Sequence, residues 1–285
     1  MPSMTREELY RRAMVVRAKK RLSQNFLVEP SYHKLVSDSL NAAPGDTVVE
    51  IGPGLGFLTE HLVTTGARVI AVELDEDLTE RLGQLAAEHK NLTVVNQDFL
   101  KFEPADLAAK NVKVVGNVPY QITSPILVRV LGEIDSPSPW LPYLHSLTMM
   151  VQLELARRVT AEPGTKDFGQ LTVLANYYAQ TKFLTKVKAE HFVPKPKVDS
   201  AVIQLIKRAE PAVQVKDLHI FRRLVASGFK ERRKMIRNNL AFLGLPDNEL
   251  TALLIKLGIS PSARAETISL EKFARLADAA SEILK

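Results

Sequence analysis

Asn117, Val118, Pro119 and Tyr120 stand one residue after the largely apolar run 112–115, so an amide, a tight turn and an aromatic ring fall together where a strand ends. Such a group can grip a flat heteroaromatic ring. The Asn117 side-chain oxygen and the Val118 carbonyl can accept N–H hydrogen bonds, and Tyr120 can stack on a π face. The chemistry this suits is attack by an amine conjugated to a ring, as in adenine. That lone pair is delocalised, so the amine must be held in line with its electrophile. Taken alone, the four residues read equally well as a proline-containing turn.

Their neighbours decide. Residues 47–51 are a short β-branched run that enters Gly52-Pro53-Gly54-Leu55-Gly56, where glycines let the backbone approach a ligand. The spacing is Gly-x-Gly-x-Gly, whereas the dinucleotide fingerprint places its last glycine one residue later, which points away from NAD. The run 68–73 ends on Glu73, where a ribose diol sits in a βαβ unit, and the run 92–95 delivers Asp98 just past its end. Singly, Glu73 or Asp98 reads as a solvated carboxylate. With the glycine loop and Asn117 they put ligand-binding features at the carboxyl ends of four successive strands, the edge at which open α/β sheets bind ligands.

The elements that must hold these residues alternate between strand and helix patterns to about Gly132, the mark of parallel βαβ winding. The proline-rich loop 135–139 interrupts them. A fifth strand is expected near 147–153, a helix over 170–178, and strands at about 182–188 and 198–206. The prolines between the last two permit only a tight connection, so that pair reads as antiparallel. Beyond Arg208 only helical spacing remains. The expected organisation is a basic N-terminal segment 1–21, an α/β domain 22–208 and a helical domain 209–285.

Charge is segregated. The chain carries a net +6 over 285 residues, yet residues 221–237 alone hold Arg222, Arg223, Lys230, Arg232, Arg233, Lys234 and Arg237 against Glu231. Read as one helix, this segment stacks Lys230 on Lys234 and Arg233 on Arg237, a repulsion that a polyanion alongside would relieve. A second basic run, from Arg6 to Arg21, faces only Glu7 and Glu8. Two such runs flanking a nucleotide-type fold point to nucleic acid; a solvated helix face is the blander alternative. Cysteine is absent, which excludes disulfides and thiolate zinc sites, and the histidines lack metal-ligand spacing. His61 and His191 read as surface or packing residues, and no metal is expected. No secretory signal is evident, Glu7 and Glu8 count against an organellar presequence, and no apolar stretch reaches the roughly 20 residues of a membrane span.

The strand-end order resembles the S-adenosylmethionine-dependent methyltransferases. The blocks 23–27 (Ser-Gln-Asn-Phe-Leu), the glycine loop, 117–120, 192–202 and 232–240 narrow the resemblance to the ribosomal RNA adenine dimethyltransferase family, from about Arg17 to the C-terminus. The last two blocks, with 257–259 and 264–267, resemble its KsgA-type branch, which dimethylates two adjacent adenosines near the 3′ end of small-subunit ribosomal RNA. The erythromycin-resistance branch, which modifies large-subunit RNA, is the alternative, and a non-catalytic RNA-binding assembly factor on the same fold is another. Ser23 replaces a more usual glycine and Val118 a more usual leucine or isoleucine.

The resemblance implies a Rossmann-like sheet, parallel with an antiparallel edge, followed by a small helical RNA-binding domain. S-adenosylmethionine is the implied cofactor, with Gly52 and Gly54 admitting its methionine part, Glu73 on the ribose, Asp98 on the adenine, and Asn25 and Leu27 closing the pocket. Asn117, Tyr120 and Phe192 are the expected catalytic residues. The expected partner is small-subunit ribosomal RNA within a pre-ribosomal small subunit, bound through the basic residues of 222–237 by a cytoplasmic monomer without membrane contact.

Overall fold

The β-branched runs expected as strands do form a sheet, whose central runs at 47–51 and 112–115 are buried on both faces. The computed structural model describes residues 4–16, 18–19, 22, 24–107 and 109–284. Arg17, Arg21 and Ser23, named above, lie outside them, as does Lys20 of the N-terminal basic run. The chain runs α1 (Arg6–Val15), β1 (Phe26–Leu27), α2 (Pro30–Ser39), β2 (Thr47–Ile51), α3 (Thr59–Val63), β3 (Arg68–Glu73), α4 (Glu76–Glu88), β4 (Leu92–Asn96), β5 (Val112–Asn117) and α5 (Thr123–Leu131). It continues through β6 (Gly132–Glu133), β7 (Ser136–Pro137), β8 (Leu144–Gln152), α6 (Leu153–Val159), α7 (Gln170–Tyr178), β9 (Ala179–Val187), β10 (Phe192–Val193) and β11 (Ser200–Lys207). The helices α8 (Leu218–Gly228), α9 (Ile236–Asn239), α10 (Asp247–Lys256) and α11 (Leu270–Ile283) complete it.

Seven strands lie in the order β4-β3-β2-β5-β8-β11-β9. The first five run parallel, and β11 joins β8 antiparallel. Strand order reverses between β2 and β5, so a crevice opens at their carboxyl ends. All five residues of β2 are buried, which fits a central strand and makes Glu50, amid Val48, Val49 and Ile51, conspicuous. The fifth strand begins at Leu144, three residues earlier than its apolar run suggests, and the proline-rich loop contributes β7, which pairs antiparallel with β6 just before it.

Two expectations are corrected. The connection between β9 and β11 is more than a tight turn: it contains β10, which pairs antiparallel with β1 as Phe26↔Val193 and Leu27↔Phe192. Residues 221–237 are not one helix. Helix α8 stops at Gly228, where an added Cβ would come within 3.1 Å of Ile236 and 3.4 Å of Phe273. Asn239 Nδ2 then donates to the Gly228 carbonyl at 2.8 Å, satisfying a helix-end acceptor from outside. The chain turns through 229–235 before α9, so Lys230 does not stack on Lys234; Lys234 instead pairs with Glu231 at 2.6 Å.

The chain divides into two compact units: Met1–Val130 with Pro139–Ala156 and Lys182–Lys207, and Leu131–Ser138 with Arg157–Thr181 and Arg208–Lys285. The first carries the sheet. In the second, α7 packs on α8 and α11, with the Tyr177 and Phe221 rings 5.8 Å apart. That packing draws 157–181 into the helical unit alongside the segment from Arg208 onward. No helix among the described residues is long and apolar enough to cross a membrane.

Candidate active site

At the carboxyl ends of β2, β3, β4 and β5 the first unit encloses a cavity of about 300 Å³ lined by the glycine loop, Glu73, Asp98 and the Asn117–Tyr120 turn. Asn25, Leu27 and Phe192 line it too. The β1–β10 pair brings Leu27 and Phe192 side by side, although they are remote in sequence. Gly52 (φ 60°) and Gly54 (φ 61°) adopt left-handed backbone that other residues rarely tolerate. A Cβ on Gly54 would also come within 3.3 Å of the Phe26 ring, so the loop needs glycine there for space as well as for φ.

Glu73 holds this loop. Its Oε2 accepts the Gly54 N–H at 3.0 Å and its Oε1 accepts the Asp75 N–H at 2.9 Å. Each carboxylate oxygen can accept a second bond, so capacity for two hydroxyl donors remains. Burial raises the Glu73 pKa against the lowering effect of those N–H bonds, and the net shift is upward. Asp98 accepts the Leu100 N–H at 2.9 Å, capping a short 3₁₀ turn and fixing its carboxylate at the cavity wall. Asn117 Nδ2 donates to the Asn25 carbonyl at 3.2 Å, which orients the amide and leaves its oxygen as an acceptor. Tyr120 is half-buried; burial pushes its phenol above the ordinary value, so it remains a neutral hydroxyl. Phe192 is 3% exposed, packed in the core beside Leu27 and Met150 while reaching the cavity wall.

Two titratable lining residues carried no expectation. Glu50 is buried with one hydrogen bond, from Thr59 Oγ1 at 2.6 Å, and burial pushes its pKa up to about 8. Its signal was a carboxylate inside an apolar strand. His33 on α2 meets the Leu27 carbonyl through Nε2 at 3.0 Å, and burial holds its pKa down at about 4, so the ring is neutral. A lone histidine in an amphipathic helix gives no such signal. Of the histidines that were assigned, His61 stacks on His33 with ring centroids 6.2 Å apart, and His191 lies 3.7 Å from Glu29.

Of the four described bases of the N-terminal run, Arg6, Arg12 and Lys19 are matched by carboxylates of their own unit, and Arg11 is not. Arg12 pairs with Glu60 at 3.0 Å and Arg6 with Glu29 at 3.7 Å, both at the surface. Lys19 contacts Asp77 at 2.6 Å and also Asp75, which Gln24 Nε2 reaches at 2.8 Å. Burial alone would raise the Asp75 pKa, but the Lys19 and Gln24 bonds outweigh it and hold the carboxyl below its usual range. Leu9 and Ala13 pack against Phe26, Phe57 and Leu78. Burying a leucine contributes about 1.5–3 kcal/mol, and an exposed ion pair about 0–1 kcal/mol. The apolar contacts therefore anchor α1, and the charges mainly orient it.

The second unit presents its basic residues unequally. Arg222 lies 3.4 Å from both Glu133 and Asp135, and Arg223 sits over the Phe242 ring at 4.3 Å. Arg232 donates to the Phe168 carbonyl at 2.9 Å and to that of Lys166, so it ties the turn to 166–168. Lys230, Arg233 and Arg237 are exposed, and among the described residues none has an ion pair.

Comparison with known proteins supplies the context for this geometry. The family model described as ribosomal RNA adenine dimethylase matches residues 15–282. A protein of Clostridium botulinum (strain Okra / Type B1) called ribosomal RNA small subunit methyltransferase A is 40% identical over 267 residues, covering 93% of this chain and 94% of the relative. Its namesake from Caldanaerobacter subterraneus subsp. tengcongensis is 36% identical over 275 residues, 95% and 100% of the two chains. Among solved structures, the 23S rRNA methyltransferase ErmE is 30% identical with a TM-score of 0.70, covering 87% of this chain and 96% of its own. A dimethyladenosine transferase from Plasmodium falciparum shares the fold, with a TM-score of 0.73 at 22% identity over 87% and 94% of the chains.

Proposed function

The chain belongs to the ribosomal RNA adenine dimethylase family, and from that premise we propose that it dimethylates the exocyclic amines of two adjacent adenosines near the 3′ end of small-subunit ribosomal RNA. The observation that carries the reading is the convergence of Glu73, Asp98 and an Asn25-oriented Asn117 on one cavity at the switch point of the sheet. The donor set fits S-adenosylmethionine: paired carboxylate oxygens for a ribose diol, Asp98 for an adenine amine, and a glycine loop open to the methionine part. When bound, that cofactor supplies a methyl group activated by sulfonium.

The residues of the chain do the rest. The target base leaves its stack to reach the cavity, where Tyr120 offers a π face and Phe192 closes a wall. The Asn117 oxygen, with the Val118 carbonyl, holds the amine so that its lone pair points at the methyl group. The amine proton becomes acidic only as the nitrogen gains positive charge, so these acceptors stabilise the transition state more than the ground state. No strong base is needed. We assign phosphate contacts to Lys230, Arg233 and Arg237, exposed and without ion pairs among the described residues, and the site of action to the cytoplasm, where the protein works as a monomer on a pre-ribosomal small subunit.

The likeness to ErmE favours a second reading, a large-subunit target, but the higher identity lies with the small-subunit relatives. Labelled S-adenosylmethionine incubated with undermethylated small and large subunits separates the two. Label on adjacent small-subunit adenosines is expected; label on the large subunit would replace the target, and none at all would leave an RNA-binding assembly factor.

A further inference from the structure

The Tyr120 and Ser200 hydroxyl oxygens are 2.7 Å apart. Ser200 is fully buried at 0% exposure, begins β11, and is registered against Gln152 of β8. Asp199, immediately before it, is pinned three ways. Its Oδ1 accepts the Ala189 N–H at 3.0 Å, its Oδ2 meets Lys186 Nζ at 2.8 Å, and its carbonyl accepts the Leu153 N–H at 3.0 Å. The Ser200 hydroxyl thus sits on a corner fixed by β8, β9 and the start of α6. Tyr120 lies on a single 3₁₀ turn, Tyr120–Ile122, with none of its residues buried, and such a turn defines a ring's tilt poorly by itself.

We infer that Ser200 is a positioning residue: its hydroxyl tethers the Tyr120 phenol, so that the ring presents a fixed face to the base being methylated. This rests on the reading of Tyr120 as the stacking surface for adenosine. The consequence is kinetic. An untethered ring can follow a tilted base and keep its π contact, so ground-state stacking survives. The amine, however, swings with the base, and in-line attack tolerates only about 10–20° of misalignment. Loss of the tether therefore lowers turnover while leaving affinity for RNA and donor in place. Because a bond between two partners can be lost only once, removing either hydroxyl should do what removing both does.

The test compares wild type, Ser200→Ala, Tyr120→Phe and the double variant on undermethylated small subunits, with donor affinity from calorimetry and folding from thermal melting. Each single change should lower kcat about tenfold with KM for the subunit and donor Kd within about twofold, and the double variant should fall no further. Unchanged kcat in either single variant overturns the tether, as does a loss confined to KM or a double variant whose losses multiply. Should Ser200→Ala melt early, Tyr120→Phe, altered only on a half-buried turn, carries the same prediction alone. A wild-type enzyme inert towards ribosomal RNA would overturn the functional reading itself, and the tether with it.

Discussion

If the helical unit docks RNA through phosphate contacts, the residues that do so must have charge to spare, and the structure singles out three that no described carboxylate, ring or backbone carbonyl engages, Arg223 being held over the Phe242 ring. Lys230, Arg233 and Arg237 are exposed without ion pairs among the described residues, whereas Lys234 is matched by Glu231, Arg222 by Glu133 and Asp135, and Arg232 is committed to backbone carbonyls. Neutralising one phosphate contributes about 0.7–0.9 units to the slope of log affinity against log salt, so changing the three to glutamine should flatten that slope by about 2 to 3 units. Between 50 and 200 mM salt, the affinity gap between wild type and variant should then narrow roughly 20- to 40-fold. The assay is RNA affinity across that salt range, with donor affinity as a control that should not move. Arg232→Gln tests the converse. It should lower the melting temperature, because two carbonyls lose their donor, while changing the salt slope little. An unchanged slope in the triple variant would refute phosphate docking here and leave these residues as a solvated face; Arg11 of α1, likewise without an ion pair among the described residues, would be the next candidate.

The remaining expectations concern the cavity. Glu73→Ala removes the acceptor for the ribose and for the Gly54 N–H and should weaken S-adenosylmethionine binding by about 1.5–3 kcal/mol, the scale of charge-assisted bonds; unchanged affinity in calorimetry would remove Glu73 from the site. Asn117→Ala should keep donor affinity within a few-fold yet lose about two to three orders of magnitude in turnover, so an active variant would end its assignment. For Glu50, burial lifts the folded-state pKa to about 8 from an ordinary 4.5. Across that window the native state holds a proton that the unfolded state has released, so stability falls as pH rises, by up to about 1.4 kcal/mol per unit. Glu50→Gln should remove this slope and gain on wild type from pH 5 to 8; parallel melting curves would contradict it.

What was legible follows from the range of each interaction. In the parallel half each strand is a largely apolar run, and every connection but that from β4 to β5 joins neighbouring strands, so Gly52, Glu73, Asp98 and Asn117 can be placed at one sheet edge from order alone. The β1–β10 pair was not readable, because two-residue strands have no periodicity and their partners lie far apart in the chain. Phe192 could therefore be suspected of lining the cavity without any sign that Leu27 is its neighbour. Glu50 was visible as a residue type but silent as chemistry, since its pKa depends on burial that only the folded sheet supplies.

The basic runs show the same limit from the opposite side. Phe229 and Ile236 are seven residues apart, a spacing that mimics two helical turns, and both are buried. The break between them is imposed by Asn239 and by packing on Phe273, which no local pattern encodes. Charge density, likewise, is a sum that the sequence supplies, while available charge is a difference that the fold makes. Arg12 meets Glu60 and Lys19 meets Asp75 across 48 and 56 residues, so α1 and the segment that follows it bring bases to acids of the same unit. A run of arginines therefore predicts a nucleic-acid surface only after its internal partners are subtracted. Here that subtraction, made over the described residues, leaves Lys230 and Arg233 in the turn 229–235 and Arg237 in α9 as the residues proposed to dock RNA.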